Sequence, residues 1–210
     1  DLPDLIRHGK SRGLRMATIP AATPLLTREV VQALKDVGLD QMALSLDAST
    51  PEAHDRFRGV PGAFQKTMDA IQWTHDAQLP VQINSVMSQQ NFNDVDQLVD
   101  LVQRLGIVFW EIFFLVPVGR GAQVPGLSAQ AYERVFAKLY RLARHASFIL
   151  KVTEAPHFRR YYFEQRMREA GLDPEQLAWD GAELPPELRR FEGPRGTIGQ
   201  APQAVNAGKG

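Results

Sequence analysis

With 210 residues, 44% of them hydrophobic and 23% charged, the chain has the composition of an ordinary globular protein with one substantial core. Its 24 basic residues balance 24 acidic ones, so no net field draws it toward nucleic acid or an acidic membrane surface. No apolar stretch reaches the length of a membrane span, no signal segment opens the chain, and the absence of cysteine excludes disulfides. A cytoplasmic location without membrane or nucleic-acid partners is the expectation.

The chain opens at Asp1-Leu2-Pro3, already in a helical pattern, and closes at Gly208-Lys209-Gly210 with no element to end, so it reads as an internal piece of a longer protein. Leu2 to Arg12 predicts a helix stopped by Gly13, followed by a strand from Leu14 to Ile19 and a loop from Pro20 to Leu26. Thr27 caps a helix with Val30, Val31 and Leu34 on its apolar face, ending at Gly38. Gln41 to Leu46 is a second strand, after which a turn leads into a short polar helix that presents Arg58 before Gly59. A helix from Gly62 to Ala77 precedes a third strand from Val81 to Met87, and a helix from Val95 to Leu105 precedes a fourth, Val108 to Val116. That fourth strand is almost continuously apolar, as strands covered on both faces are. Leu127 to Ala146 is a long helix capped by Ser128, Phe148 to Thr153 a fifth strand, and Pro156 to Ala170 a charged helix.

Repeated strand–helix units of this length imply parallel strands joined by right-handed crossovers. An open sheet and a barrel both fit, and five units are too few for a closed eight-stranded barrel. The expected organisation is an α/β unit over residues 1–155, the charged helix over 156–170, and irregular chain over 171–210, where glycine and proline rise and periodicity fades.

Folds of this kind bind ligands at the carboxyl ends of their strands. There the sequence offers Thr18 and Thr23, Ser45 and Asp47, Asn84, and the Gly119-Arg120-Gly121 turn. Ser45, Asp47, Asn84 and Arg58 together would suit a small polar ligand with a carboxylate and hydroxyls. Arginine donates two parallel charge-assisted hydrogen bonds to a carboxylate, while serine and asparagine both donate and accept. On spacing alone, Asp47 as a turn cap and Asn84 as a strand end are equally good readings. Gly119-Arg120-Gly121 reads as a plain turn, since the lysine and serine of a phosphate loop are missing, with a phosphate cradle or a close backbone approach to a flat ligand as the alternative. No two of the five histidines have metal-ligand spacing on a helix; His54 reads as a surface or locally hydrogen-bonded residue. Glu154 and His157 are either substrate groups or caps of the last helix. The arginine- and tyrosine-rich helix after Pro156 lacks the stacking platform of a nucleic-acid binder, and no nucleophile elbow is present.

The run Ser45-Leu46-Asp47 followed by Pro51-Glu52-Ala53-His54-Asp55-Arg56-Phe57-Arg58-Gly59 and Gly62-Ala63-Phe64 resembles the middle of radical S-adenosylmethionine (radical SAM) enzymes. Leu79 to Asn84, Phe113 to Gly121 and Thr153 to Arg160 are similar to the branch with a C-terminal SPASM extension, especially relatives of haem d1 and alternative haem synthesis. The resemblance implies a partial (β/α)6 TIM-like barrel in which a [4Fe-4S] cluster cleaves S-adenosylmethionine and the resulting radical takes a hydrogen atom from a substrate. Carried over by position, Ser45 and Arg58 would hold the methionine carboxylate. Asp47 or Asn84 would lie near the ribose, and the backbone at Leu115 would meet the adenine. Thr18, Thr23, Glu154 and His157 would face the substrate. A small-molecule or peptide substrate and an electron donor such as ferredoxin or flavodoxin are implied partners.

The resemblance also implies what the chain lacks. The family's three-cysteine cluster loop and Gly-Gly-Glu segment would precede Asp1, and SPASM cysteines would follow Gly210. Without cysteine this stretch cannot ligate a cluster, so it would be inactive alone. Gln78 stands where relatives close the helix with glycine, at a cost of about 1 kcal/mol if that residue is left-handed. A non-catalytic α/β domain binding a small carboxylate, or a degenerate relative, is the alternative expectation.

Overall fold

A computed structural model describes residues 1–174, in which seven α-helices surround one face of a five-stranded parallel sheet. In chain order these are α1 (Leu2–Ser11), β1 (Ala17–Thr18), α2 (Arg28–Asp36), β2 (Gln41–Ser45), α3 (Pro51–Arg58), α4 (Ala63–Asp76), β3 (Val81–Met87), α5 (Val95–Arg104), β4 (Phe109–Phe114), α6 (Ala129–His145), β5 (Ile149–Thr153) and α7 (His157–Glu169). The irregular chain expected over 171–210 lies, from residue 175 on, outside the described residues.

Helix starts follow local chemistry. Thr27, Thr50 and Ser128 accept the N–H groups of Val30, Ala53 and Ala131, each satisfying a donor with no partner inside the helix. Asp1 and Asp4 form a reciprocal capping box at α1. Gln78 closes the turn after α4 at φ +55°, so the left-handed conformation expected there is present without glycine.

The strands pair in the order β1-β2-β3-β4-β5, all parallel. A doubly wound sheet reverses its strand order at a switch point and carries helices on both faces. Sequential order with crossovers of one hand instead puts every helix on one side, which is the winding of a barrel wall. Burial agrees: Met42, Leu44, Val81, Ile83, Trp110, Ile112, Phe114, Leu150 and Val152 belong to the helix-side core. The intervening residues of β4 and β5 are only half-buried.

Two expectations are corrected. β4 is not covered on both faces; its burial alternates, because the helices pack on one side alone. β1 shrinks from six residues to Ala17–Thr18, since it pairs with β2 along one edge only and Pro20 has no N–H to extend the ladder. Leu14 and Ile19, expected within it, are exposed.

Candidate cosubstrate site

The site forms where β2 ends. A cleft of about 300 Å³ lies between the Ile19–Pro24 loop and the start of α4, and Thr23, Ser45, His54, Arg58, Lys66 and Thr67 all line it. Small-ligand clefts begin at about this volume, and its size suits an amino-acid headgroup.

Each residue of the motif after β2 has a physical task. Thr50 starts α3, and Gly59 ends it in the left-handed conformation at φ +68°. Asp55 accepts the N–H groups of Gly62 (2.5 Å) and Phe64 (2.8 Å), so its carboxylate begins α4. Those bonds, Phe64's foremost, hold its carboxyl below the usual range. Arg58, on the last turn of α3, thereby faces back toward Ser45 across the cleft.

Asp47 is fully buried. Its Oδ1 accepts the Val86 N–H (2.8 Å), and the Arg58 Nε lies 2.5 Å from Oδ2. Arg58 is thus the counter-charge at Oδ2. Burial pushes the Asp47 carboxyl up, and the Arg58 charge and the Val86 N–H hold back part of that rise. The Asp47 backbone is fixed as well: its N–H donates to His54 Nδ1 (3.1 Å) and its carbonyl accepts Asn91 Nδ2 (2.7 Å).

His54 is not a surface residue. It is 1% exposed, and its local hydrogen bond, the other half of the expectation, is the bond to Asp47. Burial, followed by the Arg58 charge, lowers its pKa to about 4, so the ring is neutral and accepts at Nδ1. Phe64 meets it edge-on with centroids 6.0 Å apart.

The other sequence-predicted residues are distributed differently. Asn84 is not a strand end; it stands within β3, in register with Ser45 on the face away from the helices. Its Oδ1 accepts Gln82 Nε2 (2.7 Å). Thr18 is in register with the core residue Met42 and does not line the cleft, whereas Thr23 does. Leu115 continues β4 and donates its N–H to the Met87 carbonyl (3.0 Å). Gly119–Gln123 is a 3-10 turn, as expected for a plain turn, and a Cβ at Gly121 would meet Leu115 Cδ1 at 3.2 Å. Glu154 is exposed and left-handed (φ +62°), while His157 packs against Tyr132 and Phe136 with centroids 4.7 and 4.9 Å away. Neither Glu154 nor His157 lines the cleft.

Sequence reasoning missed Lys66 and Thr67, which enter the cleft from the first turns of α4. Their signal was helical spacing from the Gly62 start, four and five residues on. It also missed a polar network across the sheet's uncovered face. Gln41 Nε2 donates to Gln82 Oε1 (2.6 Å), and Gln82 Nε2 to Glu111 Oε2 (3.4 Å). Thr153 Oγ1 donates to Glu111 Oε1 (2.9 Å), and Lys151 Nζ lies 2.6 Å from the same oxygen. Among the described residues no cluster of metal-ligating side chains occurs, and the chain has no cysteine, so its own residues do not fit an iron–sulfur cluster. No described helix is long and apolar enough to cross a membrane.

Residues 3–102 match a family model described as the Radical SAM superfamily. The chain is 36% identical over 169 residues to an AdoMet-dependent heme synthase of Methanosarcina barkeri, covering 80% of the chain and 48% of that protein. It is 37% identical over 174 residues to the AdoMet-dependent heme synthase of Nitratidesulfovibrio vulgaris, covering 82% and 47%. A PqqA peptide cyclase of Rhizobium meliloti is 33% identical over 105 residues, 50% of the chain and 28% of that protein. The chain thus spans about half the length of the two heme synthases it matches. Among solved structures, Streptococcus suis SuiB bound to precursor peptide SuiA shares the fold with a TM-score of 0.60 at 17% identity, over 79% of the chain and 37% of SuiB. SuiB bound to S-adenosylmethionine gives 0.57 at 15% identity, over 71% and 35%.

Proposed function

Because the chain belongs to the radical SAM superfamily, we propose that it forms the cosubstrate-binding half of an enzyme that cleaves S-adenosylmethionine. The observation that carries this reading is the convergence of Ser45 and Arg58 on one cleft at the end of β2. Arg58 donates to the methionine carboxylate from the guanidinium nitrogens that Asp47 leaves free, and Ser45 Oγ completes the contact. Lys66 adds positive potential on the same side. Asp47 serves as the anchor of Arg58, and Asn84, one strand over from Ser45, takes the ribose. The backbone at Leu115, kept open by Gly121, meets the adenine, and Thr23 borders the ligand. Asn84 and Leu115 do not line the cleft, and neither do Thr18, Glu154 and His157; of these last three we keep Glu154 as a substrate-side group because its strained backbone sits at the end of β5.

A [4Fe-4S] cluster held by residues outside this chain would supply the reductive cleavage of S-adenosylmethionine that leads to hydrogen-atom abstraction from the substrate. The chain has no cysteine to hold that cluster, and its own residues bind and orient the cosubstrate. The kinship with heme synthases extends over four-fifths of the chain, against half for the peptide cyclase, which favours a tetrapyrrole over a peptide as substrate. A SPASM-type extension, a ferredoxin or flavodoxin donor, an oxidoreductase-type reaction and a cytoplasmic site complete the proposal.

The test uses the protein encoded by the complete reading frame that carries this chain. After anaerobic reconstitution with iron and sulfide and chemical reduction, 5′-deoxyadenosine should form from S-adenosylmethionine. A reconstituted, correctly folded protein that neither binds nor cleaves it would overturn the reading in favour of a non-catalytic binding domain.

A further inference from the structure

The uncovered sheet face carries one row of polar residues across four strands. Ser45 is in register with Asn84, Asn84 with Glu111, and Glu111 with Lys151. At about 4.8 Å per strand, Lys151 stands about 14 Å along the sheet from Ser45. Lys151 is the cation of this row and Glu111 its anion.

Their environments differ. Glu111 is 13% exposed and already accepts from Thr153 and Gln82 in addition to its contact with Lys151. Lys151 is 31% exposed, and Glu111 is its single acidic partner among the described residues. An ammonium carries three N–H donors, so donors remain after that contact. Apolar surface surrounds the pair: Phe109 and Phe113 flank Glu111 along β4 on the same face, and Ile149 adjoins Lys151 along β5, all half-buried. A ring system lying on those side chains would present a carboxylate arm to the ammonium.

We infer that Lys151, held in place by Glu111, is the anchor for a carboxylate arm of the substrate's flat ring system. This rests on the tetrapyrrole reading above and adds a residue and a contact to it. Lys151 thereby holds the substrate's far end while the cosubstrate occupies the Ser45–Arg58 end of the same row.

Haem and its dimethyl ester serve as probes, because they share the ring and differ in the free carboxylates. Each is titrated into the protein from the complete reading frame, and the shift of the Soret band gives its Kd. The free acid should bind at least tenfold more tightly than the ester. Lys151→Met should reduce that acid-to-ester preference toward one, and Lys151→Arg should retain most of it. A merely structural role would weaken acid and ester alike and leave their ratio unchanged. S-adenosylmethionine binding by equilibrium dialysis, followed in parallel, reports folding of each variant. A parent protein without preference for the acid, or a preference that survives Lys151→Met, overturns the inference. So does a protein that binds neither probe while cleaving S-adenosylmethionine, which removes the substrate assignment and leaves the cosubstrate site standing.

Discussion

Arg58 Nε lies 2.5 Å from Oδ2 of Asp47, a carboxylate with no exposure to solvent, while the arginine itself is 35% exposed. The pair therefore has a buried end and a wet end. The buried carboxylate fixes the guanidinium, and the fork's outer nitrogens remain available at the cleft. A planar fork tied at Nε retains the geometry that grips a carboxylate with two parallel bonds.

Arg58→Ala should weaken S-adenosylmethionine binding by more than about 1.5 kcal/mol, at least a tenfold rise in Kd, because a charge-assisted contact is lost. Arg58→Lys should recover only a small part, since one ammonium cannot reach both Asp47 and the ligand as a fork does. Isothermal titration of the reconstituted protein checks both. Unchanged affinity in the alanine variant would refute the assigned role.

Asp47→Asn separates anchoring from stability. Burial raises the Asp47 pKa in the folded protein, so its ionised form costs stability, and that cost appears as pH rises through the folded value. Arg58 stays solvated when the charge is removed, so no buried cation is left unpaired. The variant should therefore gain stability relative to the parent as pH rises from 4 to 7, while Kd for S-adenosylmethionine rises several-fold. Urea titrations at both pH values measure the first effect. A relative stability that falls with pH would contradict the burial cost.

His54 gives the fold an acid-sensitive window. Its pKa is about 4 in the folded protein, against 6.5 ordinarily, so below pH 6.5 the unfolded chain takes up a proton that the folded chain refuses. The stabilisation from neutral His54 is complete above about pH 6.5 and is lost as pH falls toward 4, to a limit of about 3 kcal/mol. His54→Asn keeps an acceptor for the Asp47 N–H and removes the titration. Its stability should depend on pH less steeply between 6.5 and 4, by up to one proton; identical slopes in denaturant titrations would exclude His54 as the source.

Gln78 is exposed and holds φ +55° in the turn after α4. A side chain in the left-handed region costs about 1–2 kcal/mol, part of which glycine returns to the unfolded chain as entropy. Gln78→Gly should stabilise the protein by about 0.5–1 kcal/mol without affecting ligand binding. Thermal unfolding reads the shift, and a lower Tm would count against strain at this turn.

Local chemistry made much of the fold legible. Val81–Met87 is the strand its residues predict, and Thr27 and Ser128 cap the helices they were expected to cap. Those signals work because a cap or an apolar period acts over three or four residues. That Ser45 and Arg58 line one cleft has a related reason: strand end, turn and helix end adjoin in the chain. β4 misled because its composition is apolar on both sides, and composition does not say how many faces the helices cover.

The sequence by itself determined the parallel strand–helix alternation, the caps at Thr27 and Ser128 and the proximity of Ser45 to Arg58. Tertiary structure alone decided that the sheet winds in one direction, that Asp47 is buried beneath Arg58, and that Ser45, Asn84, Glu111 and Lys151 share a row. Those relations depend on register between strands 27 to 40 residues apart. A shift of one residue in any pairing would turn that strand's side chains to the opposite face, and only the packing of the whole helix-side core selects the register that holds.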